Sequence, residues 1–353
     1  MEPIQALYQT VEKRIAQLDF GGLWPDFHPF AFALRSGDQV CLHDRLLRAD
    51  DSFRGNTAVP YGGSYLALWN LDYEAALPAP ERLAADLVHE MFHAFQLEQG
   101  EARFPDDLEA LDYPMDAGNF SRKLAENRLL ARAVRERSRA RELLESFCAL
   151  REDRQRSIGP WITREYLPET VEGMAEYVGL KALDQLAPEQ YRRQLEAYLS
   201  RLETAGPLQL DVRRISYFTG PALLLAAEAA GLSVFHSLAG ENRPLYQLIR
   251  PQLTPAEVPP APLEPLLEAE LARRALERRD TLSRFFREAK PPVSGDFLIQ
   301  GYDPMNLFKQ GNLLYGSHFW RLLDRERREE ISLTGPAVLL CAGGYRVSRY
   351  WTK

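Results

Sequence analysis

An α+β fold is predicted by the order of textures along these 353 residues: a β-containing start, a helical middle and a β-rich end. Strands and helices that follow one another in blocks, and do not alternate, argue against a doubly wound parallel sheet. A change of texture after Pro291-Pro292 marks the second boundary. The expected organisation is therefore residues 1–290 as one domain, β-rich over 25–75 and helical over 80–290, followed by a small β-rich module at 291–353.

The elements follow in order. An amphipathic helix is expected over about 3–18, ending near Gly21-Gly22. Phe30–Leu34 and Val40–Leu42 look like strands around a Ser36-Gly37-Asp38 turn. Ser64–Leu71 is a third strand candidate after Gly62-Gly63. Pro80 then opens a helix that Gly100 stops, with Leu83, Leu87, Met91 and Ala94-Phe95 at helical spacing. The stretch 121–154, dense in Arg and Glu, predicts one long solvated helix with intrahelical ion pairs; a lid or partner-binding arm is the sharper reading. Further helices are expected at about 169–186, 188–204, 221–231, 243–250 and 264–288. Phe297–Ile299 and Ala337–Tyr345 read as strands.

Composition narrows the function. Hydrophobic residues make up 45% and charged residues 26%, a globular profile. The net charge of -7 and a pI of about 5.6 leave no basic face for nucleic acid. Cys41, Cys148 and Cys341 show no paired spacing, so neither a disulfide framework nor a zinc ribbon is indicated. The most apolar stretch, 220–235, is too short for a bilayer and contains Glu228. The first residues lack the pattern of a secretory signal. A cytoplasmic protein with no membrane or nucleic-acid partner is expected.

One motif carries chemistry. Residues 89–93 read His-Glu-Met-Phe-His, an HExxH inside a segment that independently reads as helix. Residues four apart share a helix face, so His89 and His93 can reach one metal ion, while Glu90 can take a proton from water bound to it. With only six histidines in the chain, chance would give this motif on the order of once in a hundred such chains. A catalytic zinc needs a third protein ligand and an open position. Gln96 and Gln99 stand where a third-histidine pattern would continue, so a downstream carboxylate is required. Glu172 and Glu176, four apart, fit: one can ligate and the other can accept the free N–H of a ligating imidazole.

With HExxH on one helix and Glu172-Gly173-Met174-Ala175 on a later one, the sequence resembles the gluzincin metallopeptidases, the thermolysin-like and M1-aminopeptidase-like group. The resemblance implies a thermolysin-like zincin core in 1–290 and Zn2+ held by His89, His93 and Glu172. It implies Glu90 as general base and Glu176 as the carboxylate orienting an imidazole. It also implies that Ser64–Leu71 is the edge strand that holds an extended peptide beside the active-site helix. The 78 residues between His93 and Glu172 are more than this group usually has. An oxyanion donor is expected from a later segment; Tyr217, in Tyr-x-x-Gly before an apolar helix, is the candidate, with Arg214 as the alternative. A packed core tyrosine is the plain reading of the same residue. His236 and His318 are read as structural, and His28 and His43 carry no motif. The expected activity is hydrolysis of peptide or protein substrates. The alternatives are a zinc hydrolase acting on a non-peptide amide or ester, and a non-catalytic binding or regulatory protein on the same fold.

Overall fold

The computed structural model describes residues 3–43, 45–50, 52–53, 55–254, 256–304 and 306–353. The chain is mixed α+β. Its strands are β1 (Ala31–Ser36), β2 (Gln39–Leu42), β3 (Arg45–Arg48), β4 (Thr57–Tyr61), β5 (Ser64–Asn70), β6 (Val293–Tyr302), β7 (Leu307–Gln310), β8 (Leu313–Gly316), β9 (Phe319–Asp324), β10 (Glu329–Thr334), β11 (Ala337–Cys341) and β12 (Arg346–Thr352). Its helices are α1 (Pro3–Ile15), α2 (Phe20–Leu23), α3 (Pro80–Glu98), α4 (Asp107–Ala110), α5 (Ala117–Arg135), α6 (Ala140–Ile158), α7 (Thr163–Leu186), α8 (Pro188–Glu203), α9 (Val212–Ala229), α10 (Leu245–Ile249) and α11 (Pro265–Glu288). Two compact units result: Met1–Phe104 with Arg122–Pro262, and Pro105–Ser121 with Leu263–Lys353. No helix among the described residues is long and apolar enough to cross a membrane.

In the first unit the strands form a mixed sheet ordered β3-β2-β1-β5-β4. β1 and β5 run parallel; the other neighbours are antiparallel. Alternation sorts the side chains: Ala33, Val40, Leu42, Leu66 and Leu68 pack into a core, while Ala67 and Trp69 take the opposite face of β5. The expected edge strand is corrected here. β5 lies inside the sheet, and the edge is β4, which sequence patterning misses because Pro60 interrupts it. Proline lacks a ladder donor and is tolerated on an edge.

The charged stretch is also corrected. Residues 121–154 belong to two helices, α5 and α6, separated by a short 3-10 turn at Arg137–Arg139. Nor is the stretch simply solvated. Lys123, Glu126, Arg151 and Arg154 are fully buried, and they meet the equally buried Glu165 and Glu169 of α7. Arg151 bonds Glu169 at 2.7 and 2.9 Å and Glu126 at 3.1 Å. Arg154 bridges Glu126 and Glu165, and Lys123 also meets Glu165. Three cations thus face three carboxylates, the condition under which buried charge is tolerated. Burial alone would raise the Glu165 pKa, but Arg154 and Lys123 hold it well below the usual range.

Two helices begin earlier than their prolines suggest. α7 starts at Thr163 with Pro168 inside it, and α9 starts at Val212 with Pro221 inside it. α7 and α9 cross where both carry glycine. A Cβ on Gly173 would stand 2.6 Å from the Gly220 Cα, and one on Gly220 would stand 2.3 Å from the Gly173 Cα. The Thr219 hydroxyl of α9 donates to Glu169 of α7 at 2.9 Å, linking the crossing to the buried charge cluster. Gly179 of α7 similarly admits α3: its Cβ would lie 3.3 Å from the His89 Cβ.

The second unit starts at Leu263, not at 291, and includes residues 105–121. Its antiparallel sheet is ordered β10-β9-β6-β12-β11-β8-β7. On one face Phe297, Ile299, Trp320, Leu322 and Leu339 pack with Leu108 of α4. On the other, Val338 packs with Leu282 and Phe285 of α11. Each face needs its cover, which is why α11 and the 105–121 segment group with these strands.

Candidate functional site

α3, α7 and α9 bring the motif residues into one cavity of about 350 Å³, lined by His89, Glu90, His93, Glu172, Glu176, Arg213 and Tyr217. Thr57 and Trp69 from the sheet, with Asn56 just before β4, complete its wall. Helical periodicity does the first part of this work. His89 and His93 share a face of α3, and Glu172 and Glu176 share a face of α7.

The three proposed ligand atoms converge. His89 Nε2 and His93 Nε2 are 3.1 Å apart, and Glu172 Oε2 lies 3.2 Å from the second and 3.9 Å from the first. With ligand bonds of about 2.0 Å, tetrahedral coordination separates ligand atoms by about 3.3 Å. Glu90 also brings a carboxylate oxygen within 4.8 Å of both imidazoles. Glu90 and Glu172 are thus both carboxylates within reach of the two imidazoles.

The protons point the same way. Gln96 Nε2 donates to the Val171 carbonyl at 3.0 Å, so its Oε1 is the atom facing His93 Nδ1 at 2.7 Å. That oxygen accepts, so His93 Nδ1 donates to it and Nε2 is the nitrogen turned to the cavity. His89 Nδ1 faces Glu176 Oε2 at 3.0 Å, and Tyr198 donates to the other Glu176 oxygen. The Nε2 atoms of both imidazoles, with a carboxylate oxygen of Glu172, therefore face one point, where each ring would offer a lone pair once its Nε2 proton is lost. Such a set fits a cation.

The charge balance agrees. Burial lowers the His89 pKa, but the contact with Glu176 and the charges of Glu90 and Glu172 outweigh it and raise the value to about 9. A proton held so firmly marks a place where positive charge is favoured. Burial works against the Glu172 carboxylate, yet His93 and Arg213 bring its pKa down to about 2. For Glu90 burial wins: its pKa lies above the ordinary value despite both histidines.

Tyr217 lies within α9 and not at its entrance, because the helix begins at Val212. Its ring runs parallel to the His89 imidazole, with 6.2 Å between centroids, and its hydroxyl hydrogen-bonds Glu172. Burial and the charge of Glu172 push the phenol above its usual pKa, so it stays a donor. Arg214 is corrected: it is exposed and lies near Asp211. The arginine of the cavity is Arg213, whose guanidinium donates to Glu172 Oε1 at 3.0 Å. Arg213 and Tyr217 are four apart on α9, a signal visible only once the helix start is known. Gln96, Arg213 and Trp69 were not foreseen as site residues. Among the six histidines, His28, His43, His236 and His318 stand outside the cavity wall.

No known protein family, curated sequence or solved structure matches the chain. The site's own chemistry carries the functional argument.

Proposed function

We propose that this chain is a zinc-dependent metallopeptidase of the gluzincin type, with His89, His93 and Glu172 as metal ligands and Glu90 as general base. The observation that carries the reading is the convergence of three potential ligand atoms within 3.1 to 3.9 Å, each fixed from behind by a hydrogen-bond partner. Zinc at that point would lower the pKa of a coordinated water to about 7 and polarise a carbonyl oxygen. Glu90 takes the proton of the attacking water and passes it to the leaving amine; its raised pKa suits both steps. Gln96 and Glu176 hold the two imidazoles in the ligating orientation. Tyr217 and Arg213 donate to the oxyanion of the tetrahedral intermediate.

A peptide is favoured over a small amide or ester by the sheet. β4 is an outer strand of its sheet, and its Thr57 lies in the cavity wall. An extended chain can pair along such an edge while one of its carbonyls reaches the histidines.

The test is a peptide-library digest by zinc-loaded protein, with Glu90→Gln as the blank. Cleavage by the wild type alone is expected. Hydrolysis of small esters without cleavage of any peptide would move the assignment to a non-peptide hydrolase. Undiminished cleavage by Glu90→Gln would remove the base from the mechanism.

A further inference from the structure

The cavity over the histidines continues outward. Its walls Asn56, Trp69, Arg82 and Asp86 are shared with a second cavity of about 780 Å³. The far wall of that second cavity is one face of α8, where Gln190, Arg193, Gln194, Tyr198 and Arg201 recur at helical spacing.

The charges of α8 divide by face. Glu189 pairs with Arg192, and Glu196 and Glu203 both pair with Arg135 of α5. Arg193 and Arg201 have no carboxylate partner among the described residues, and both line the cavity. Arg201 lies over the Phe218 ring, 5.0 Å from its centroid. Three arginines here face two carboxylates, Glu74 and Asp86, and Asp86 is engaged by Arg82 at 2.8 and 2.9 Å. In a chain of net charge -7 this is a local reversal of sign.

We propose that the outer cavity selects an acidic side chain of the substrate peptide. Arg193 and Arg201 hold the carboxylate. This rests on the peptidase reading only for the word substrate; the cleft's preference for an acidic peptide can be measured without cleavage. Two partly solvated arginine–carboxylate contacts give a discrimination of about tenfold, and salt reduces it.

The experiment uses full-length, zinc-loaded Glu90→Gln protein and calorimetric binding of capped peptides. The peptides are identical except that Glu replaces Gln at one position at a time. One position is expected to bind about tenfold tighter with Glu than with Gln. The preference should vanish in Arg193→Gln/Arg201→Gln and persist in Arg192→Gln, whose arginine is paired with Glu189. Equal binding of Glu and Gln peptides at every position, no binding of any peptide, or a preference that survives the double substitution would overturn the proposal. A wild-type protein that binds with this preference but cleaves nothing would refute the peptidase reading and leave the acidic cleft standing. Cleavage with no acidic preference would do the reverse.

Discussion

Replacing Gly173 by alanine tests the architecture behind the site. The new methyl carbon would meet the Gly220 Cα at 2.6 Å and the Gly220 carbonyl carbon at 3.2 Å. Carbon atoms settle at about 3.5–4.0 Å, so α7 and α9 must separate by roughly 1 Å. The obstacle is backbone and cannot rotate aside. Alanine gains about 1 kcal/mol in helix propensity over glycine. Overpacking costs about 1–3 kcal/mol, occasionally more, and a rigid contact belongs at the upper end. The net loss is about 2 kcal/mol, or a fall in melting temperature of roughly 4–8 °C for a domain of this size. The functional loss should be larger in proportion. Glu172 sits next to Gly173, and Arg213 and Tyr217 ride on α9, so a shift of this size displaces the donors from the ligand; a misplacement of about 1 Å can cost about a hundredfold in rate. Thermal unfolding and peptide turnover of Gly173→Ala and Gly206→Ala provide the assay. Gly206 has extended backbone and open space around its Cβ, so it serves as the neutral control. A Gly173→Ala protein that melts and turns over like the wild type would refute the crossing as the device that assembles the site.

Other expectations follow from single contacts. Gln96→Leu removes the acceptor from His93 Nδ1 and should weaken zinc binding by about 10- to 100-fold, measured by competition with a chelator. Tyr217→Phe should keep zinc and lower turnover, because it removes an oxyanion donor and no ligand. Arg154→Met leaves Glu126 and Glu165 buried with too little positive charge, and urea unfolding should show a loss of about 3–5 kcal/mol. The folded pKa of Glu165 lies below its ordinary value of 4.5, so its ionised form contributes stability above that pH and the contribution fades as the pH falls towards the folded value. Acid titration of unfolding should therefore show a steeper loss below about pH 4.5 in the wild type than in Glu165→Gln.

What the sequence discloses divides along physical lines. The clustering of His89, His93, Glu172 and Glu176 around one cavity is legible because its geometry is local: the two four-residue spacings follow from one helical turn. Gln96 is harder to see because its role needs the Val171 carbonyl of another helix. Arg213 is hidden by Pro221, which reads as a helix start although α9 runs through it. The buried charges of α5 and α6 are hidden for a different reason. An Arg/Glu-rich helix looks the same whether its charges face water or the carboxylates of Glu165 and Glu169. β4 is lost because Pro60 breaks the strand pattern, yet that proline is what suits it to the edge. The second unit begins earlier than its strands do, since a sheet with two apolar faces draws in α11 and Leu108 to cover them.

The central claim is that His89, His93 and Glu172 are the ligands of one zinc ion, with Glu90 left free as a base. Zinc stoichiometry and affinity of the wild type, His89→Ala, Glu172→Gln and Glu90→Gln test it most directly. One zinc per chain is expected in the wild type and in Glu90→Gln, with none retained by His89→Ala and much weaker binding by Glu172→Gln. Zinc lost in Glu90→Gln but held normally by Glu172→Gln would make Glu90 the third ligand and contradict the account.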